Sequence, residues 1–135
     1  MAAKAAAGVR VLVVDDEIGI SSLLSDLLEA DGYRVTTAPN GAAALARLEQ
    51  ETFDAVLTDI RMPELDGPGL YREIERLHPR LAPRVAFMTG NILTEDTADF
   101  FAATGAPCVR KPFLRDDVLR VLQQVLAPAR VLAVG

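Results

Sequence analysis

At 135 residues, with 14 Lys and Arg against 19 Asp and Glu and a net charge of −5, the chain fits one ordinary domain able to bury a core without disulfide or metal staples. The acidic balance argues against a nucleic-acid-binding body, because phosphate backbones are held by clustered cations. The single cysteine, Cys108, cannot form an internal disulfide, no Cys/His cluster has zinc-ligand spacing, and no stretch approaches the roughly 20 apolar residues of a bilayer span. A reducing, cytoplasmic setting without membrane insertion is therefore expected. Residues 1–8 are Ala-rich and lack the long apolar core of a signal peptide, so they read as linker or disordered chain.

Residues 9–126 carry the fold. Residues 9–14 are short, β-branched and apolar on both parities, as expected of a strand covered on both faces. Ile20, Leu23, Leu24, Leu27 and Leu28 then recur at helical spacing and predict a helix over residues 18–31, with Gly32 as its stop. The alternation continues with strand 33–38, a helix over 41–50 burying Leu45 and Leu48, and strand 55–58. A helix over 68–77 with Leu70, Ile74 and Leu77 in phase follows, then strand 84–88, a helix over 95–104, strand 107–110, and a helix over 116–126 with Val118, Leu122 and Val125 along one side. Five β/α units in sequence predict an α/β domain: a doubly wound five-stranded parallel sheet, with right-handed crossovers and helices on both faces. Residues 127–135 form a C-terminal tail.

Several strand tips end in chemistry. Asp15 and Asp16 follow the first apolar run, Asp59 the third, Thr89 the fourth and Lys111 the fifth. In an open parallel sheet, ligands bind outside the carboxyl ends of the strands where the strand order reverses. Taken singly, these residues have plainer explanations: either acid of the first pair would cap the next helix, and Asp59 would be a loop acid ahead of Pro63 and Gly67. If the carboxylates share a pocket, each close pair repels by roughly a few kcal/mol, and cations must offset them. Lys111 supplies one charge and a divalent metal the remainder. Oxygen-only ligands beside an open position favour Mg²⁺, which predicts a phosphoryl site with a nucleophilic carboxylate.

The stretches Val11-Leu12-Val13-Val14-Asp15-Asp16-Glu17, Leu57-Thr58-Asp59-Ile60-Arg61-Met62-Pro63 with Asp66-Gly67, Met88-Thr89-Gly90 and Lys111-Pro112-Phe113 resemble the receiver domains of bacterial two-component response regulators. The resemblance covers residues 9–126 and implies a flavodoxin-like (βα)5 receiver. A phosphoryl group would pass from a histidine kinase or histidine phosphotransfer protein to Asp59, by self-catalysed transfer and autodephosphorylation rather than by turnover of a separate substrate. Mg²⁺ would be held by Asp15, Asp16, Asp59 and the backbone carbonyl of Arg61. Lys111 would pair with the phosphoryl oxygens, Thr89 would donate a hydrogen bond to them, and the Lys111-Pro112 bond would be cis. Arg61, Gly90 and Asn91 would rim the phosphoryl pocket, with a solvated Arg61 as the alternative.

One departure touches the mechanism. Similar receivers carry Tyr or Phe three residues before the lysine, as a ring that rotates inward when the threonine shifts; here that switch position is Cys108, which lacks the bulk and reads as a small core residue. His78, before Pro79 at a helix end, has none of the surroundings of a phosphotransfer histidine. Of Phe100 and Phe101, at least one should be core and the other is a candidate for the signalling face. The apolar run Val131-Leu132-Ala133-Val134 would extend a contact or be disordered. Three contexts stand open: a free-standing regulator, an excised fragment, or a receiver sharing its chain with a kinase domain, as in hybrid histidine kinases, which the motifs resemble most. The rivals are a receiver-like interaction module that is never phosphorylated, a haloacid-dehalogenase-type phosphatase, and a flavin-binding domain. The phosphatase would need a second Asp where Arg61 stands, and the flavin domain a phosphate loop after Val14. Oligomeric state is not legible.

Overall fold

A computed structural model describes residues 8–90 and 94–127; Asn91 and the apolar run 131–134 lie outside them. The strands are β1 (Arg10–Val14), β2 (Arg34–Ala38), β3 (Ala55–Asp59), β4 (Val85–Thr89) and β5 (Cys108–Arg110), each followed by its helix: α1 (Ile18–Ala30), α2 (Gly41–Gln50), α3 (Gly67–Leu77), α4 (Glu95–Thr104) and α5 (Arg115–Leu126). All strand pairs are parallel, in the order β2-β1-β3-β4-β5. The order therefore reverses between β1 and β3, which places the switch-point crevice beside Asp15 and Asp59.

Side-chain parity explains the two layers of core. Leu12, Val14, Val56 and Phe87 point to one face and pack with α2, α3 and α4 through Leu48, Leu70, Ile74 and Phe100. Val11, Val13, Leu57 and Met88 point to the other and meet α1 and α5 through Leu24, Leu28, Val118 and Leu122. A strand buried on both faces has no use for polar alternation, which is why β1 and β3 read as continuous apolar runs.

The helix starts are locally encoded. Asn40 accepts the Ala43 N–H at 2.7 Å and Asp66 the Gly69 N–H at 2.8 Å, so each satisfies an orphan donor of the first turn. The N-cap of α1 is different: Glu17 stands there and makes no side-chain cap bond. Asp15 accepts the Glu17 N–H at 2.8 Å instead, so neither acid of the pair acts as the N-cap residue.

Two apolar assignments need correction. Leu23 is 53% and Leu77 45% exposed, outside the buried stripes of their helices. On α1 the stripe runs through Ser21, Leu24 and Leu28, and the Ser21 hydroxyl donates to the Asp15 carbonyl at 3.3 Å. Periodicity finds the helix but draws its apolar face too wide. Arg84 ends a 3₁₀ turn that starts at Ala82, rather than opening β4.

Candidate functional site

The site forms at the carboxyl edge of the sheet. Asp15 continues from β1, its N–H donating to the Ala38 carbonyl at 3.1 Å, and is 1% exposed. Asp59 is the last residue of β3, and its Oδ1 accepts the Ile60 N–H at 2.8 Å. Thr89 ends β4 and is buried; its carbonyl accepts the Lys111 N–H at 2.7 Å, which pins the end of β5 to the end of β4. The Lys111-Pro112 peptide is cis. From this anchor the lysine ammonium reaches across the sheet, donating to Asp15 Oδ2 at 3.0 Å and to Asp59 Oδ2 at 3.3 Å.

A residue that sequence reasoning passed over joins them. Glu17 Oε1 lies 3.6 Å from the ammonium, and one carboxylate oxygen each from Asp15, Glu17 and Asp59 fall within 4.8 Å of one another. The signal was the acid two residues beyond Asp15, on the turn into α1 that aims its side chain back at the rim. Asp16 does not join this gathering among the described residues. It is exposed and lines the neighbouring open groove with Arg61, Asp66, Thr94 and Asp96. Arg61 is exposed beside the site, and Gly90 lies on the same rim, where an added Cβ would stand 3.7 Å from Lys111 Cδ.

The electrostatics follow from burial and proximity. Burial pushes the Asp59 carboxyl above its usual range, aided by the charge of Asp15 and opposed by Lys111 and the Ile60 N–H. Burial alone would lower the Lys111 pKa, but the hydrogen bond to Asp15 and the charges of Asp59 and Asp15 outweigh it and raise it above the ordinary lysine value. The lysine is thus a fixed cation among carboxylates. Such an all-oxygen cluster with excess negative charge fits a hard divalent ion.

The remaining candidates sit away from this centre. Cys108 is half-buried beside the aromatic core, and burial pushes its thiol up to about 11, so it is protonated and unreactive near neutrality. Phe100 is buried and Phe101 half-buried, each packed edge-on against Phe87 at 5.4 and 5.2 Å between centroids. His78 caps the end of α3 and lines a separate groove with Leu48, Phe53 and Leu81.

A parallel sheet ordered 2-1-3-4-5 with acids, a threonine and a lysine on its switch-point rim defines the receiver class of signalling domains. Sequence comparison agrees: the profile of the response regulator receiver domain matches residues 11–123, and the chain belongs to that family. It is a phosphoacceptor domain of two-component signalling. It is similar to the response regulator receiver protein CpdR of Brucella abortus (36% identity over 89% of this chain and 98% of that protein). It also spans 27% of the transcriptional regulatory protein ZraR of Klebsiella oxytoca, at 35% identity over 91% of the chain. Of hybrid signal transduction histidine kinase L of Dictyostelium discoideum it spans 7%, at 33% identity over 85% of the chain. Among solved structures, a response regulator receiver domain protein from Clostridium thermocellum superposes with a TM-score of 0.80 and 31% identity, covering 92% of this chain and 98% of that one.

Proposed function

We propose that Asp59 accepts the phosphoryl group and that Lys111, Thr89 and the acids of the β1 tip serve the transfer. The observation that carries this reading is the Lys111 ammonium held between Asp15 and Asp59, which come from the strands on either side of the switch point. Asp59 Oδ1 is committed to the Ile60 N–H, so Oδ2 is the oxygen that attacks phosphorus. As the O–P bond forms, the N–P bond of the donor phosphohistidine breaks and the imidazole leaves with the electron pair. Lys111 passes its hydrogen bond from Oδ2 to the equatorial phosphoryl oxygens, where charge accumulates in the transition state. The Thr89 hydroxyl donates to the same group. Asp15 and Asp59 would hold Mg²⁺, with Asp16 and the Arg61 carbonyl completing the set from the adjoining groove that Asp16 and Arg61 line, and the ion would neutralise that charge when bound. Gly90 and Arg61 border the entry.

Water attack on the aspartyl phosphate would return Asp59 to its resting state, as autodephosphorylation. A histidine kinase or histidine phosphotransfer protein is the donor, and it meets apolar contacts at Ile18 and Leu114, which are 80% and 70% exposed on the segments that follow Glu17 and Lys111. The similarity to a hybrid kinase supports a kinase domain in the same chain as one context. No helix among the described residues is long and apolar enough to cross a membrane; the cytoplasmic setting rests on the receiver family. The deciding experiment is incubation with a small phosphodonor and Mg²⁺ followed by intact mass. One phosphoryl group should be gained, and the gain should vanish in Asp59→Asn and in excess EDTA. No gain in the parent chain would return the domain to a pure interaction module.

A further inference from the structure

Glu17 contacts the lysine of the transfer machinery, yet the phosphoacceptor reading gives it nothing to do. Its carboxylate lies 3.6 Å from Lys111 Nζ, with the side chain 66% exposed, while its N–H is tied to Asp15 Oδ1 at 2.8 Å. The backbone bond fixes where the side chain starts, at the mouth rather than the floor of the site. We propose that Glu17 is a positioning residue that acts through Lys111 to destabilise the phosphorylated form, and so limits how firmly the domain holds its phosphoryl group. This inference rests on Asp59 being the acceptor.

Two effects carry it, and they have the same sign. The first is competition for one ammonium. Asp15 is fully buried and holds Lys111 at 3.0 Å, so it remains a partner in both states. An arriving phosphoryl group replaces Asp59 Oδ2 as the second partner, and Glu17 is then the carboxylate that draws the ammonium outward, away from the new oxygens. The second is direct repulsion. The gathered oxygens of Glu17, Asp15 and Asp59 lie within 4.8 Å of one another, so a phosphoryl group on Asp59 sets its negative oxygens beside a carboxylate. The resting ion pair is solvated and contributes little to folding stability, whereas the same charge beside an added anion costs binding. Glu17 therefore works on the lysine, and Asp16 remains the carboxylate for the metal.

The test is the affinity of the full chain for beryllofluoride, a phosphoryl mimic, at saturating Mg²⁺ by calorimetry. Glu17→Gln should bind the mimic about three- to tenfold more tightly than the parent, while Glu17→Asp, which keeps the charge, should fall between them. Mg²⁺ affinity measured without the mimic should fall only slightly in Glu17→Gln, through the lost charge alone, and much further in Asp16→Asn. Unchanged or weaker mimic binding by Glu17→Gln overturns the proposal, as does a loss of its Mg²⁺ affinity as large as that of Asp16→Asn, which would make Glu17 a metal ligand. Asp59→Asn should bind no mimic; if it does bind, the acceptor assignment itself fails, whatever the Glu17 variants show.

Discussion

At the scale of single residues, the chemistry of the rim competes with the stability of the fold. Asp59 is buried beside Asp15, and its carboxyl is raised above the ordinary range chiefly by that burial. A raised acid binds protons more readily folded than unfolded, so its ionised form is a cost to folding. The cost is fully present above the folded-state pKa and disappears below the unfolded one. Asp59→Asn should therefore raise the melting temperature at neutral pH, by about 4 °C for a gain on the order of 1 kcal/mol. In EDTA the gain should shrink as the pH falls through the raised folded-state pKa and level off below the unfolded value of about 3.9; a variant that melts lower than the parent at neutral pH would refute this. Cys108 makes the opposite case of a residue left out of the chemistry. With its thiol pushed up to about 11 by burial, alkylation by iodoacetamide at neutral pH should run at least about tenfold slower in the folded protein than after denaturation, as followed by intact mass. The convergence of Asp15, Asp59, Thr89 and Lys111 was legible in the sequence because strand ends on one edge of a parallel sheet must meet. The places of Asp16 and Glu17 were not, since they depend on the turn between β1 and α1, where one residue more or less reverses which side chain faces inward.

At the scale of elements, the site depends on how closely α3 is laid against the end of β3. Gly67 starts α3, and its N–H donates to the Ile60 carbonyl at 2.8 Å. A Cβ there would meet the Asp59 carbonyl oxygen at 2.5 Å, Ile60 Cα at 3.0 Å and Phe87 Cε2 at 3.2 Å. The first two are backbone atoms, which cannot rotate away. Gly67→Ala should lower stability by about 1–3 kcal/mol and slow phosphoryl uptake together, because relief of the clash displaces the residues that orient Asp59. Urea denaturation and the time course of mass gain would check both, and a variant with full stability and full uptake would show that the contact yields freely. The elements themselves were legible, since the spacing of Val118, Leu122 and Val125, all buried on α5, is a helical signature that packing only reinforces. What the spacing hid was width. The leucines of α1 define a broad stripe, yet the helix leans on the end of β1 through Ser21, and Leu23 is turned to solvent. A buried polar residue bonded to a strand end is invisible to apolar periodicity.

At the scale of the whole molecule, the sheet separates a chemical edge from a structural one. Each of the four longer strands spans five residues, about 17 Å, and is packed by helices on both sides, so a disturbance at the tips meets a stiff body beneath it. The softer route leads sideways. Phe87 precedes Thr89 by two residues on the same face of β4, and its ring meets Phe100 and Phe101 of α4, while its neighbour across the ladder is the small Cys108. A pull on Thr89 by a phosphoryl oxygen would therefore reach α4 through the Phe87 ring of β4, without an aromatic side chain on β5. Adding beryllofluoride and Mg²⁺ to isotope-labelled protein should move the amide resonances of residues 15–17, 59–61, 89–90 and 110–111, and those of Phe100 and Phe101. The groove of Leu48, Phe53, Leu81 and Arg84 at another part of the surface should stay within error of its resting shifts. Replacing Phe101 with Ala should leave the rim shifts intact and weaken those along α4, where the Phe87–Phe100 contact remains, because the rim is set by the strand ends and the relay by the rings. An α4 response of full size in that variant would place the route elsewhere.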